Sequence, residues 1–129
     1  VTTEDLNEAR RFISEYINSA EQLDVLLLLH AERARSFNAA EVSQRVFTVP
    51  AAAILRLEEL TAAGLVSSDR APDPRYRYAP STPELAARVD VLAATHRAQR
   101  VAVVQLVYQV PRDPVRSFAD AFRLRRPED

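Results

Sequence analysis

The chain has 129 residues, enough for one domain with a substantial core, and its formal net charge of −1 draws it as a whole toward neither nucleic acid nor anionic lipid. All 17 basic residues are arginine, which excludes lysine Schiff-base chemistry. The absence of cysteine excludes disulfides, thiolate nucleophiles and cysteine zinc sites, and is compatible with a reducing compartment.

Helix starts are legible along the first half. Thr2 with Asp5 predicts a capped helix over about 3–17, with Leu6, Ala9, Phe12, Ile13, Tyr16 and Ile17 on one stripe. Ser19 with Gln22 opens a second helix over about 20–35. Its centre, Val25 to Leu29, is apolar nearly all round, as in the buried hub of a small bundle. Asn38 with Glu41 opens a short helix over about 39–46, with Ala40, Val42, Val46 and Phe47 as its apolar set. Thr48 is placed to cap the next helix, about 49–63. Pro50 sits in its first turn, and Ile54, Leu57 and Leu60 form the predicted inward face. Gly64, the chain's single glycine, falls where a left-handed helix cap needs it.

Residues 65–68 and 75–78 then read as two short strands around a turn with two prolines. Thr82 and Pro83 open a helix predicted to run unbroken over about 83–109, with Leu85, Val89, Leu92, His96, Gln99, Val103, Leu106 and Val110 on its stripe. Pro111 ends it. Asp113 and Pro114 cap a last helix, about 114–124, with Val115, Phe118, Ala119 and Phe122 on one side.

Three helices followed by a hairpin is the order of a winged helix. The segment from Asn38 to Val46, then Val49 to Leu60, then Ala63-Gly64-Leu65-Val66, resembles the winged helix-turn-helix domains of MarR-like bacterial regulators. The most specific part is the run Leu57-x-x-Leu60-x-x-x-Gly64-Leu65-Val66. The expected architecture is mainly α, a three-helix core plus a β-hairpin wing at 19–80. An added N-terminal helix, a long C-terminal helix and a short terminal helix complete a single domain. The stretch from Asp113 to Leu124 looks like the tail of small bacterial proteins that carry such a domain, and implies no activity.

The resemblance implies DNA binding through the third core helix and the wing, in the service of transcription regulation. The candidate contacts are Ser43, Gln44, Arg45, Thr48, Ala51, Ala52 and Arg56 on the helices, and Arg70, Arg75 and Arg77 on the wing. Against it, Pro50, Ala51, Ala52 and Leu55 carry no base-reading donor, although an alanine can touch a thymine methyl. The segment from Asn38 to Ala79 balances five arginines with five acids, so it brings little phosphate neutralisation. A protein-interaction module without DNA binding is therefore the second expectation. Its contact would be either the apolar Pro50-Ala51-Ala52-Leu55 surface or the tail, where Arg116, Arg123, Arg125 and Arg126 are candidate partner contacts in a stretch of net charge +3.

No enzyme is expected. Glu58 and Glu59 are adjacent and point about 100° apart on a helix. No nucleophile elbow is present, and one glycine cannot build a phosphate loop. His30 and His96 lack an acidic cluster to make a metal site, so neither metal nor cofactor is expected. A stripe of some 25 residues on the long C-terminal helix leads to the expectation of a two-fold homodimer through that helix, with packing against the first and last helices as the alternative. Apolar runs such as Val25–Leu29 are far too short to span a bilayer, and the acidic start at Glu4, Asp5 and Glu8 is unlike a secretory signal. The expectation is a cytoplasmic protein with no membrane contact.

Overall fold

The computed structural model describes residues 2–109. Helix α1 (Thr3–Tyr16) begins at a full capping box. Thr2 Oγ1 accepts from the Asp5 amide, and the Asp5 carboxylate accepts from the Thr2 amide, both at 3.1 Å. Its inward face buries Ala9, Phe12 and Ile13. Helix α2 (Ala20–Ala31) starts at Ser19, whose hydroxyl caps the Gln22 amide. The Gln22 side chain reaches back past Ser19 to the Asn18 amide, so the expected box is shifted by one residue.

Helix α2 is the hub of the core. Leu23, Val25, Leu26 and Leu29 are completely buried, which fits a helix with apolar residues nearly all round. It ends at Ala31, four residues short of the expected 35. The chain must leave the helix there because Phe37 is needed elsewhere. Phe37 exchanges two backbone hydrogen bonds with Tyr76, at 2.9 and 2.7 Å, and so lies as a one-residue edge beside the hairpin.

Helices α3 (Ala39–Arg45) and α4 (Pro50–Ala62) pack on each other, and α4 also lies on α2. Strands β1 (Val66–Ser68) and β2 (Tyr76–Tyr78) follow as an antiparallel pair with Val66 opposite Tyr78 and Ser68 opposite Tyr76. Strand β2 alternates as expected: Tyr76 and Tyr78 are buried and Arg77 points to solvent. Gly64 has φ +81 and closes α4 in a Schellman motif. The Leu65 amide bonds the Leu60 carbonyl at 3.0 Å and the Gly64 amide bonds Thr61 at 3.1 Å.

The C-terminal half corrects one expectation. The helix read as unbroken over 83–109 is two helices, α5 (Pro83–Ala98) and α6 (Arg100–Gln109). Gln99 sits between them at φ −140 and ψ 63; its amide donates to the Thr95 carbonyl and its carbonyl accepts from the Val103 amide. The break lets both helices pack on α1, with Val89, Leu92, Val103 and Val107 buried in one core. Neither glycine nor proline marks it. The Thr95 hydroxyl bonds back to the Val91 carbonyl at 2.7 Å, a local competitor of helix geometry. The last helix expected at 114–124, with Arg116, Arg123, Arg125 and Arg126, lies outside the described residues.

Candidate nucleic-acid interface

The helix-turn-helix is set by its caps. Asn38 and Glu41 form the expected capping box, with bonds of 2.8 and 2.9 Å. At the other end of α3 the Thr48 amide bonds the Ser43 carbonyl at 2.9 Å, again the long bond of a Schellman motif. The left-handed residue of this motif is Phe47, at φ +59. The residue is 94% exposed, where the sequence pattern put it in the inward set. Thr48 does not cap α4. The N-cap is Val49, and it supplies no side-chain hydrogen bond.

Helix α4 buries Ala53, Leu57 and Leu60 completely. Ile54, expected on that face, is 45% exposed. Ala51, Ile54 and Leu55, with Val49 and Phe47 ahead of them, leave a bare apolar strip on the outward side. Ala52 is half-buried beside it. Of the polar candidates near the turn, Gln44 is exposed and Thr48 half-exposed. Ser43 is buried, and its hydroxyl donates to the Ala40 carbonyl at 2.7 Å.

The arginines are mostly held by acids. Arg45 pairs with Glu32. Arg56 turns along α4 and toward α2, giving its Nε to Glu21 at 3.1 Å and an NH group to Glu59 at 2.9 Å. Arg70, itself at φ +57, binds Glu58 at 3.0 Å. Arg75 reaches over the α2–α3 connection to the Ser36 hydroxyl and carbonyl and to Glu41, all near 3.0 Å. Arg77 is exposed and has no acidic partner among the described residues. With Ser36, Ser67, Ser68, Asp69 and Arg75 it lines an open cleft on the outer side of the hairpin.

Behind this surface the wing is bolted to the helices. The Tyr76 hydroxyl donates to Glu58 at 2.6 Å. That bond, then Arg70, holds the Glu58 carboxyl below its ordinary range. Burial, then Glu58, pushes the Tyr76 hydroxyl up to about 12. On the far side His30 meets Asp90 of α5 at 2.8 Å and lies edge-on to the Tyr78 ring. Burial lifts Tyr78 to about 12 as well. His96 lies near Asp24 and Arg100, and burial lowers its pKa. Among the described residues no group of three or more His, Cys, Asp or Glu side chains is placed to hold a metal ion. No helix among them is long and apolar enough to cross a membrane.

No protein-family model matches the sequence, and no curated protein does. Solved structures do match by shape. The chain superposes on YusO of Bacillus subtilis with a TM-score of 0.53 and 16% identity, covering 97% of this chain and 84% of that one. Reduced MarR of E. coli gives 0.52 and 14% identity, over 93% and 86%. The multiple antibiotic-resistance repressor of Listeria monocytogenes gives 0.51 and 15%, over 94% and 80%. The fold is a MarR-type winged helix. Within that winged helix, α3 and α4 are the helix-turn-helix, β1 and β2 the wing, and α1, α5 and α6 the flanking body.

The turn residue was the part of this winged helix hidden from sequence reasoning. A phenylalanine two residues before the cap of α4 reads as core by hydropathy. The available signal was its place: position C′ after the helix opened by Asn38, where glycine or asparagine is usual.

Proposed function

We propose that the chain is a winged-helix transcription regulator that binds duplex DNA through the start of α4 and the wing. The observation carrying this reading is the outward strip of α4, which no other described element covers, beside a hairpin whose Arg77 has no acidic partner among the described residues. Residues 19–80 are the DNA-binding core in this reading. The flanks, 1–18 and 81–129, join two copies, with Val101 (70% exposed) and Tyr108 (75%) on α6 as apolar contacts. The break at Gln99 means that α5 and α6 serve this pairing as two short helices, not as one long one. The protein so described works in the cytoplasm and carries no cofactor and no catalytic centre.

The test is a salt titration with random-sequence duplex. Binding at low salt that weakens steeply as salt rises is the expected result, because each phosphate neutralised by arginine releases a counterion. No binding at low salt would overturn the reading. Sedimentation at micromolar protein should give twice the monomer mass; monomer alone would remove the pairing.

A second reading rests on the same strip. Phe47, Val49, Ile54 and Leu55 are apolar and exposed, while Arg45, Arg56, Arg70 and Arg75 are each occupied by a carboxylate. That combination also suits a protein-docking module, with the strip as anchor and Arg116, Arg123, Arg125 and Arg126 as contacts to an acidic surface. A chain that ignores duplex at low salt and binds a protein through Phe47 would establish it.

A further inference from the structure

The first two turns of α4, from Pro50 to Leu55, contain no hydrogen-bond donor on any side chain. Arg56 is turned along its own helix and toward α2 by Glu59 and Glu21. Ser43 is turned inward. If α4 enters a major groove, the chemistry left to it is apolar contact. The one apolar feature unique to a base edge in that groove is the C5-methyl of thymine.

Phe47 adds a second, independent observation. It combines a left-handed backbone, which is unfavourable for a non-glycine residue, with a side chain left in water, the residue being 94% exposed. Neither the turn nor the core gains from that ring. Strain held against the demands of the fold is a mark of a site that contacts something.

The charges at the ends of the strip suit a nucleic acid better than an apolar protein groove. Arg45 stands two residues before Phe47, and Arg70 binds Glu58, one turn beyond Leu55. Both arginine side chains are well exposed, 45% and 63%. Their ion pairs are weak surface pairs, which a phosphate can displace. Apolar centre and cationic ends match methyl-bearing base edges between two phosphate rails.

We propose that this chain recognises thymine methyl groups in the major groove through Phe47, Ala51 and Leu55, with Arg45 and Arg70 on the flanking phosphates. This rests on the DNA-binding reading above and names its sequence class: duplex rich in thymine at the contacted steps, read without hydrogen bonds from α4. An adenine in the same strand is specified only through its thymine partner.

The experiment starts from duplexes selected out of a random pool by the whole chain at low salt. Thymines of an enriched duplex are replaced one at a time by deoxyuridine, which removes the methyl and nothing else. At contacted positions affinity should fall roughly fourfold per methyl; placing 5-methylcytosine opposite guanine at those positions should restore part of it over plain cytosine. Phe47→Gly should weaken binding about tenfold while raising the melting temperature by about 3 °C. A merely structural phenylalanine would lower both. An enriched duplex indifferent to every uridine replacement, or a Phe47→Gly chain that binds as before, overturns the methyl contacts and leaves DNA binding standing. A selection that enriches no duplex overturns the DNA reading and this inference with it.

Discussion

Helices α3 and α4 end in the same way and fill the same position differently. Each closes with a Schellman motif whose long bond is about 3 Å, from Thr48 to Ser43 and from Leu65 to Leu60. After α4 the left-handed residue is Gly64, the only glycine in the chain; after α3 it is Phe47. At Gly64 residue type and backbone agree, and the chain goes on into β1 with Leu65 buried. At Phe47 they conflict, and the side chain touches solvent. The first end is built for folding. The second keeps a ring outside at a cost to folding, which is the expected mark of a surface selected for contact.

The two faces of α4 give the sharpest test of that contrast. Leu57 is completely buried and Leu55 is 57% exposed, two residues away on the same helix. Leu57→Ala should destabilise the chain by about 2–5 kcal/mol. Leu55→Ala should change stability by less than about 0.5 kcal/mol and lower DNA affinity. Chemical denaturation of the pair measures both. Equal losses would mean that Leu55 is packed and that the strip is no separate surface.

Exchange at the two helix ends comes next in size. Gly64→Ala places a side chain at φ +81, with its Cβ 2.8 Å from the Ser81 hydroxyl. A loss of about 1–2 kcal/mol is expected, mostly from the backbone because the hydroxyl can rotate away. Phe47→Gly should act in the opposite direction, stabilising by about 1 kcal/mol. Thermal melts of the two variants, run together, decide it. A destabilised Phe47→Gly would show that the ring supports the turn.

Acid should loosen the wing before the hub. Glu58 has its folded pKa lowered from 4.5 by the Tyr76 hydroxyl and Arg70. Its contribution is present above 4.5 and is lost as pH falls through the lower folded value, because the unfolded chain takes up the proton first. The carboxylate is 42% exposed, so the effect is under about 1 kcal/mol. Asp24, a carboxylate on α2, is shifted the other way, raised by burial, so acid does not weaken the hub through it. Hydrogen exchange across pH 4.5 should therefore show protection falling at β1 and β2 while α2 amides stay closed, and Glu58→Gln should reduce the pH difference, the remainder coming from Asp69 and Glu41, which are also lowered by hydrogen bonds at the hairpin and the α3 cap. Loss of protection in both regions together would show that the wing and the hub open as one unit.

What the sequence made legible follows the same division. Caps, the leucine hub and the glycine are local signals, and Thr2, Ser19, Asn38, Thr82 and Gly64 stand where they were read. The hairpin followed from its turn and from the alternation of Arg75 to Tyr78. Three features were missed, two because they depend on contacts across the fold and one, Phe47, because its hydropathy outweighed its place after α3. The Phe37–Tyr76 bridge ends α2 early. The α5–α6 break follows packing on α1 without glycine or proline to announce it. Phe47 has the composition of core and the geometry of a cap. In the site, charge counting saw that arginines and acids balance. It could not see which arginine is left over, since that depends on which carboxylates fall within reach.

Beside Arg75, Arg77 carries the smallest expected stability effect and the cleanest test of that remainder. They lie two apart on the outer side of the hairpin, yet Arg75 makes three hydrogen bonds that tie the wing to Ser36 and Glu41. Arg75→Ala should cost about 1 kcal/mol through those bonds. It would confuse any binding measurement, because the wing itself would shift. Arg77→Ala should leave stability within about 0.5 kcal/mol. If its guanidinium meets a phosphate, the slope of log affinity against log salt should become shallower by about one, equally for every duplex sequence. An unchanged slope would place Arg77 in solvent in the complex as it is in the free chain. DNA contact would then fall to Arg45 and Arg70, which must first exchange a carboxylate for a phosphate, and the wing would serve to position α4 and not to grip the backbone.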